Sequence, residues 1–421
     1  MYNFEEIIKL IDRSNQIEHA LDEYIKNNAN KELNENDISI LNKLLSHLNA
    51  HHPEPIIAET DLQGNIIYVN EEFLKVSKYS KDEIIGQNIR ILRSGHMPQG
   101  VYQNLWATIS LGKAWSGELK NRAKDYDTYW VSIYIAPIFN SEGQIVNYWS
   151  VAFDISEQVK QKEENELKQN DIMESLRYAK RIQRTILPDK KSMDDVFDDY
   201  FVVFKPKDIV SGDFYWFNQV VDKAFVAVVD CTGHGVPGAF MSLIGYNLLN
   251  QIVLQKGIHK PGQILTELHN QVRATLKQDA ADSKSRDGMD VCLVVVNKYD
   301  DKLEYAGANR PLFMLKGDEL LEIKATKFSI GGEQMEEERV YQNNELEYES
   351  GDSIYLFSDG FVDQFGGPDF KKFSTKKLKQ IIIENKHEPM SVQRALFNIV
   401  WKDWKGDEEQ TDDVTMIAIR F

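Results

Sequence analysis

Apolar residues recur every three or four positions through the first fifty residues: Phe4, Ile7, Ile8 and Ile11, then Ile17, Leu21, Tyr24 and Ile25. That spacing predicts an amphipathic helix. The polar stretch 27–36 reads as a turn, and Asp37 is placed to cap a second helix with Ile38, Leu41, Leu44, Leu45 and Leu48 on one face. Pro53 and Pro55 close this segment, because the residue before a proline disfavours helix. From residue 56 to 155 the period shortens. Strands are expected over 56–58 and 65–69 around the turn Asp61-Leu62-Gln63-Gly64, short helices over 71–76 and 101–109, and longer strands over 114–120, 129–138 and 145–153. About a hundred residues of sheet with helices inserted early describe an α+β module.

Residues 156–187 are charged and lack glycine and proline, and Ile172, Leu176, Ala179, Ile182 and Ile186 form a stripe like a coiled-coil seam. Beyond it, strands are expected over 200–204, 213–217, 224–229, 291–296, 303–305, 312–315, 353–357 and 414–419. Helices are expected over 237–253, 262–276, 376–384 and 391–404. Consecutive strands with helices gathered in blocks favour antiparallel sheets flanked by helices over a βαβ fold. The chain therefore reads as an α+β multidomain protein: a helical segment 1–53, a domain 54–157, a helical linker 158–188 and a second domain 189–421.

The 421 residues suit two or three domains at roughly 150 residues each. With 42% hydrophobic and 11% aromatic residues, they can fill ordinary cores. Asp and Glu number 66 against 49 Lys and Arg, a net charge of −17, which argues against a nucleic-acid partner. Two cysteines, Cys231 and Cys292, cannot form a disulfide framework and fit a reducing compartment. The start carries acids where a signal peptide needs cations, and the longest apolar runs are strand-sized, so a cytoplasmic protein without a membrane span is expected.

The acids differ in placement. Asp213 follows Val210-Ser211-Gly212 at a strand start, Asp230 ends a strand and opens Cys231-Thr232-Gly233-His234-Gly235, Asp359 precedes Gly360, and Asp412 and Asp413 precede the last strand. Strand-end aspartates are also ordinary turn formers. As a set of carboxylates beside glycine-exposed carbonyls, without clustered His or Cys, they suit Mg²⁺ or Mn²⁺ rather than zinc.

In order along the chain, Ala179-Lys180-Arg181-Ile182-Gln183, Ile186-Leu187-Pro188, Val210-Ser211-Gly212-Asp213-Phe214-Tyr215, Asp230-Cys231-Thr232-Gly233-His234-Gly235, Ala306-Gly307-Ala308-Asn309, Ser358-Asp359-Gly360 and Thr411-Asp412-Asp413-Val414-Thr415 stand as separate motifs. This ordered set resembles the metal-dependent protein phosphatases of the protein phosphatase 2C superfamily, in particular their bacterial branch typified by the stage II sporulation protein E phosphatase domain. The resemblance implies an αββα sandwich that hydrolyses phosphoserine or phosphothreonine with two Mn²⁺ or Mg²⁺ ions. Asp230 and the backbone carbonyl of Cys231 would hold the ions, Asp359 and Asp412 would complete one shell, and Asp213 would support the site. Asp287 stands about where relatives place an acid for a third ion, with a plain loop role as its alternative. Lys207 is a candidate for the substrate phosphate or an exposed loop lysine, and His234 a candidate general acid or a structural turn residue. The substrate implied is a phosphorylated regulatory protein of anti-anti-sigma type.

Residues 54–157 resemble a PAS domain through Asp61-Leu62-Gln63-Gly64-Asn65-Ile66, Asn70-Glu71-Glu72-Phe73, Gly86-Gln87-Asn88-Ile89-Arg90, Trp115-Ser116-Gly117-Glu118, Asn121-Arg122, Tyr129-Trp130-Val131 and Asp154-Ile155-Ser156. The later motifs look like the aerotaxis-receptor type, which holds FAD, so flavin and a cofactor-free pocket both stay open. Ile89 stands where flavin photoreceptors of this fold carry their adduct-forming cysteine, so that photochemistry is not expected. Sensor, helix and catalyst in series imply that the linker transmits a signal, with dimerisation through the linker or the N-terminal helices. Two rivals remain: a scaffold with a silent phosphatase fold, against which the intact acids weigh, and a histidine kinase, for which residues 156–188 offer no phosphoacceptor His.

Overall fold

The structure, a computed structural model, describes residues 55–140, 142–279, 285–297, 299–334, 336 and 338–421. The helices expected within residues 1–53 lie outside the described residues. The described chain divides into two compact units, with the boundary between Asn170 and Asp171.

In the first unit, β1 (Ile56–Thr60), β2 (Ile66–Val69), β3 (Trp115–Arg122), β4 (Thr128–Phe139) and β5 (Ile145–Asp154) form one antiparallel sheet in the order β2-β1-β5-β4-β3. The Asp61 turn closes the first hairpin because its carboxylate accepts the backbone N–H groups of Gln63 and Asn65 at 2.9 and 2.7 Å. Asn70 caps the helix Glu71–Ser77 from within, its buried side-chain oxygen accepting from Phe73 N and from Ile57 N on β1. Further helices, Lys81–Ile84 and Gln99–Ser110, precede β3. Between the helices and the sheet lies a cavity of about 300 Å³, lined by apolar side chains such as Phe73, Leu105 and Tyr148 and by the polar Asn88, Arg90 and Asn121.

A single helix, Ser156–Ile186, runs through the expected linker, and the boundary between the two units falls within it, between Asn170 and Asp171. Of the seam, Ile172 and Ile182 are exposed and Leu176, Ala179 and Ile186 are half-buried; Leu167, Met173 and Tyr178 on the same helix are exposed as well.

The second unit begins with a short helix, Lys190–Asp194. Its strands are β6 (Asp199–Lys205), β7 (Phe214–Val220), β8 (Lys223–Cys231), β9 (Gly288–Asn297), β10 (Lys302–Ala308), β11 (Leu312–Lys316), β12 (Glu319–Ile323), β13 (Ile330–Gly331), β14 (Asn344–Glu347), β15 (Ser353–Phe357), β16 (Phe365–Gly366), β17 (Lys371–Lys372) and β18 (Val414–Arg420). One sheet runs β14-β10-β9-β8-β7 with β13 on β9, the other β12-β11-β15-β18-β6, and both are antiparallel. Strands buried on both faces read as continuous apolar runs, and the alternation of side chains sorts those runs into layers. Phe225, Ala227, Val229, Leu293 and Val295 face the helices Gly235–Asn250 and Pro261–Thr275. Their neighbours Val226, Val228, Val294 and Val296 meet Ile354, Leu356, Ile417 and Ile419 of the other sheet. The opposite face of that sheet, with Phe201, Tyr355 and Met416, packs on the helices Thr375–Glu384 and Met390–Lys405. The layers are helix, sheet, sheet, helix, as expected. Each fully buried large apolar side chain contributes roughly 1.5–3 kcal/mol, and such side chains fill all three interfaces.

Candidate functional site

The acids singled out by the sequence gather at one end of this sandwich, because strand pairing brings the strand ends together. The register aligns Phe214 with Val229 and Asp230 with Asp290, so Asp213, Asp230 and Asp290 lie on three neighbouring strands at the same sheet end. In the second sheet Phe357 pairs with Met416, and Ser358 N donates to Thr415 O at 2.9 Å. That pairing sets Asp359, just past β15, beside Asp412 and Asp413, just before β18.

Close backbone approach makes this convergence feasible. A Cβ on Gly238, at the start of the helix Gly235–Asn250, would lie 2.2 Å from the Gly233 carbonyl. One on Gly360 would lie 2.0 Å from the Asp413 carbonyl. No side chain fits at either position.

The carboxylates have distinct surroundings. Asp213 is buried, and one of its side-chain oxygens has no hydrogen-bond partner. Burial, with the neighbouring Asp230 charge next, pushes its carboxyl well above the usual range. Burial also raises Asp230 to about 7, Arg310 working against it and Asp359, Asp290 and Asp412 with it. Asp412 is raised by burial as well. Asp413 does structural work: its two oxygens accept the backbone N–H groups of Lys207 and Gly212, both at 2.7 Å, and tie the last strand to the loop before Asp213. The Cys231 thiol is buried in the core and pushed well up by that burial, while the Cys231 carbonyl lies near Gly212.

Asp287, Lys207 and His234 fall differently. Asp287 is bonded by the Ser285 hydroxyl at 2.9 Å, and the carboxylate the fold brings to the cluster from this region is Asp290, three residues later. Lys207 Nζ lies 3.1 Å from His234 Nε2, and His234 Nδ1 lies 2.6 Å from Asp208. Lysine, histidine and aspartate thus form a chain at the rim.

A guanidinium sits within the cluster. Arg310 Nη2 donates to Asp230 at 2.7 Å and Asp359 at 2.5 Å, and lies 3.3 Å from Asp290. Asn309, at φ 56°, turns the chain there, a left-handed conformation that asparagine tolerates. Neither Asp290 nor Arg310 belongs to a motif read from the sequence. Their signals were a charge within the apolar run of β9 and an arginine next to Ala306-Gly307-Ala308-Asn309. A third unforeseen contact comes from the helix end. The side-chain amide of Gln183 donates to Ser211 O at 2.6 Å and to the Ser242 hydroxyl at 3.0 Å, and its oxygen accepts from Ser211 N.

This donor set fits a hard divalent cation: carboxylate oxygens from both sheets, one unpartnered buried oxygen on Asp213, and acids raised by burial and then by one another's charge. Among the described residues no group of three or more His, Cys, Asp or Glu side chains is arranged as it stands to hold a metal ion, and Arg310 occupies the oxygens of Asp230 and Asp359.

Known proteins match both units. The family described as stage II sporulation protein E (SpoIIE) matches residues 221–421, and a PAS domain family matches residues 53–157. The SiaA-PP2C domain of Pseudomonas aeruginosa, a solved structure, is 32% identical, covers 60% of this chain and 98% of its own, and superposes with a TM-score of 0.55. The phosphoserine phosphatase RsbU of Bacillus subtilis (strain 168) is 27% identical over 259 residues, 60% of this chain and 71% of that protein. The nitrogen fixation regulatory protein of Klebsiella pneumoniae is 37% identical over 100 residues, 24% of this chain. The chain spans 20% of that protein's length. Among the described residues no helix is long and apolar enough to cross a membrane. With its strand-end acids gathered at one end of a four-layered sandwich, the chain belongs to the SpoIIE-type branch of the metal-dependent protein phosphatase superfamily and carries a PAS domain upstream.

Proposed function

We propose that this chain is a PAS-regulated, metal-dependent phosphatase. Its substrate would be a phosphoserine or phosphothreonine on a regulatory protein of anti-anti-sigma type. The observation that carries the reading is the meeting of Asp213, Asp230, Asp359 and Asp412 from both sheets at one end, with an Asp213 oxygen left unpartnered. The likeness to a phosphoserine phosphatase supports the substrate class.

Asp230, Asp359 and Asp412, with the Cys231 carbonyl, would hold two Mn²⁺ or Mg²⁺ ions, and Asp213 would orient the site from beneath. Bound there, the ions supply Lewis acidity, easing deprotonation of water and offsetting charge on the phosphoryl oxygens. Asp413 keeps the loop of Lys207 and Gly212 against the site through its two backbone hydrogen bonds. Asp208 holds His234 at Nδ1 and fixes the ring with Nε2 free to exchange a proton; the ring would take up a second proton there once Lys207 leaves it, and pass it to the departing seryl or threonyl oxygen. Lys207, on the same Nε2 in this state, would exchange that contact for the phosphate.

For regulation, the Gln183 bridge ties the helix Ser156–Ile186 to the Ser211 loop and to the helix Gly235–Asn250. A shift of the helix would therefore move Asp213. The exposed seam of Ile172 and Ile182 suits dimerisation, and the cavity in the first unit suits a compact ligand. A cytoplasmic location accords with the cysteine usage. One observation favours the rival reading of a silent output domain: Arg310 already neutralises the acids that ions would need.

Three outcomes test the proposal. The full chain with Mn²⁺ hydrolyses an aryl phosphate or a phosphoserine peptide, and Asp230→Asn lowers kcat by at least about 100-fold; no hydrolysis by the wild type with any divalent metal supports the silent domain, and equal rates in variant and wild type remove Asp230 from the site. Gln183→Ala lowers Mn²⁺-dependent kcat about fivefold or more with unchanged circular dichroism, the scale of losing about 1 kcal/mol of buried hydrogen bonding; an unchanged kcat removes the helix from the regulatory path. The third concerns pH. The folded-state value of Asp230, about 7, exceeds its unfolded value of 3.8, so the folded chain holds the extra proton between them. The metal-free protein should therefore lose stability as pH rises across that window, and Asp230→Asn should flatten the loss. Parallel melting curves for both proteins across that window contradict it.

A further inference from the structure

The arginine within the cluster has no role in the reading above. Arg310 lies at the turn after β10, with only 16% of its side chain exposed. One of its nitrogens, Nη2, serves Asp230, Asp290 and Asp359 together, while Nε is buried with no hydrogen-bond partner. Asp290 itself is braced: its other oxygen accepts from the Asn309 amide at 3.0 Å and the Ser329 hydroxyl at 2.7 Å, which leaves the remaining oxygen for the guanidinium.

Several part-buried carboxylates cannot share one end of a sandwich without a compensating cation, and Arg310 is that cation here. A divalent ion on Asp230 and Asp359 would repel the guanidinium from the same oxygens. The arginine would keep Asp290, which is not among the proposed ligands, and regain N–H groups for another anion. A guanidinium presents planar, paired donors that match phosphoryl oxygens.

We propose that Arg310 is the site's built-in cation: it holds Asp230, Asp290 and Asp359 together in the metal-free protein. When divalent ions take over that charge, it is released, tethered by Asp290, to bind the substrate phosphoryl group. The proposal rests on the metal-dependent reading above. Arg310 thereby couples the two events, since phosphate is read only once the ions have arrived.

The test uses the full chain, stripped of metal with chelator, and the variants R310A and R310K. Mn²⁺ affinity is measured by isothermal titration, the metal-free melting temperature by calorimetry, and inorganic phosphate binding by titration into the Mn²⁺-loaded protein. For R310A, Mn²⁺ should bind about tenfold more tightly, the metal-free protein should melt lower, and phosphate should bind about tenfold more weakly, the scale of a charge-assisted hydrogen bond. R310K keeps the charge without the planar fork, so its Mn²⁺ affinity should fall between the other two while phosphate binding stays weak. If R310A misfolds, R310K alone decides by the same two affinities. Mn²⁺ binding to R310A no tighter than to wild type, or phosphate binding undiminished, overturns the Arg310 proposal while leaving the metal site intact. Absence of Mn²⁺ uptake by wild type and variants alike overturns the metal-dependent reading itself.

Discussion

Mutual repulsion among carboxylates at one end of the β-sandwich is the constraint on which the rest of this unit depends. Asp213, Asp230, Asp290, Asp359, Asp412 and Asp413 are brought close by two independent antiparallel pairings, and burial raises several of their pKa values. Such a group persists only with compensating positive charge, so the core must be firm enough to hold it. The apolar layers provide that firmness: β8 and β9, buried on both faces, carry Asp230 and Asp290, and Asp213, Asp359 and Asp412 sit just outside β7, β15 and β18 of the same sandwich. The glycines complete the arrangement, because a side chain at Gly238 or Gly360 would push the loops apart.

Charge compensation also organises the proposed function. Asp413 spends both oxygens on backbone N–H groups and so serves the frame, whereas Asp213 retains an unsatisfied oxygen. Arg310 neutralises the centre, and Lys207, His234 and Asp208 form a polar chain at the rim. The residues differ in what they are free to do, and the proposed roles follow that division. Gln183 links the Ser211 loop, two residues from Asp213, to the long helix, and the proposed regulation would act through that link.

Much of this was legible in the sequence, for identifiable reasons. Strands such as β8, β9 and β18 are long apolar runs, and the helices Pro261–Thr275 and Met390–Lys405 keep a clear period, so both kinds announce themselves. The edge strands β12 and β14 did not, because Glu319–Ile323 and Asn344–Glu347 are short, partly exposed and mixed in polarity. At the site, Asp213, Asp230, Asp359 and Asp412 stand beside glycines at strand ends and could be read as a set. Asp290 and Arg310 depend on cross-strand register and on a left-handed turn at Asn309, which local pattern does not carry. Asp287 has the right residue type three positions before the register places a carboxylate in the cluster.

The most direct test of the account is anomalous diffraction at the manganese edge from crystals of the full chain grown with Mn²⁺. Two peaks bridged by Asp230, with Asp359 and Asp412 on one of them and the Arg310 guanidinium withdrawn from Asp230 and Asp359, are the predicted result. Manganese absent from this end of the sandwich at saturating concentration, with Arg310 still on all three carboxylates, would contradict it.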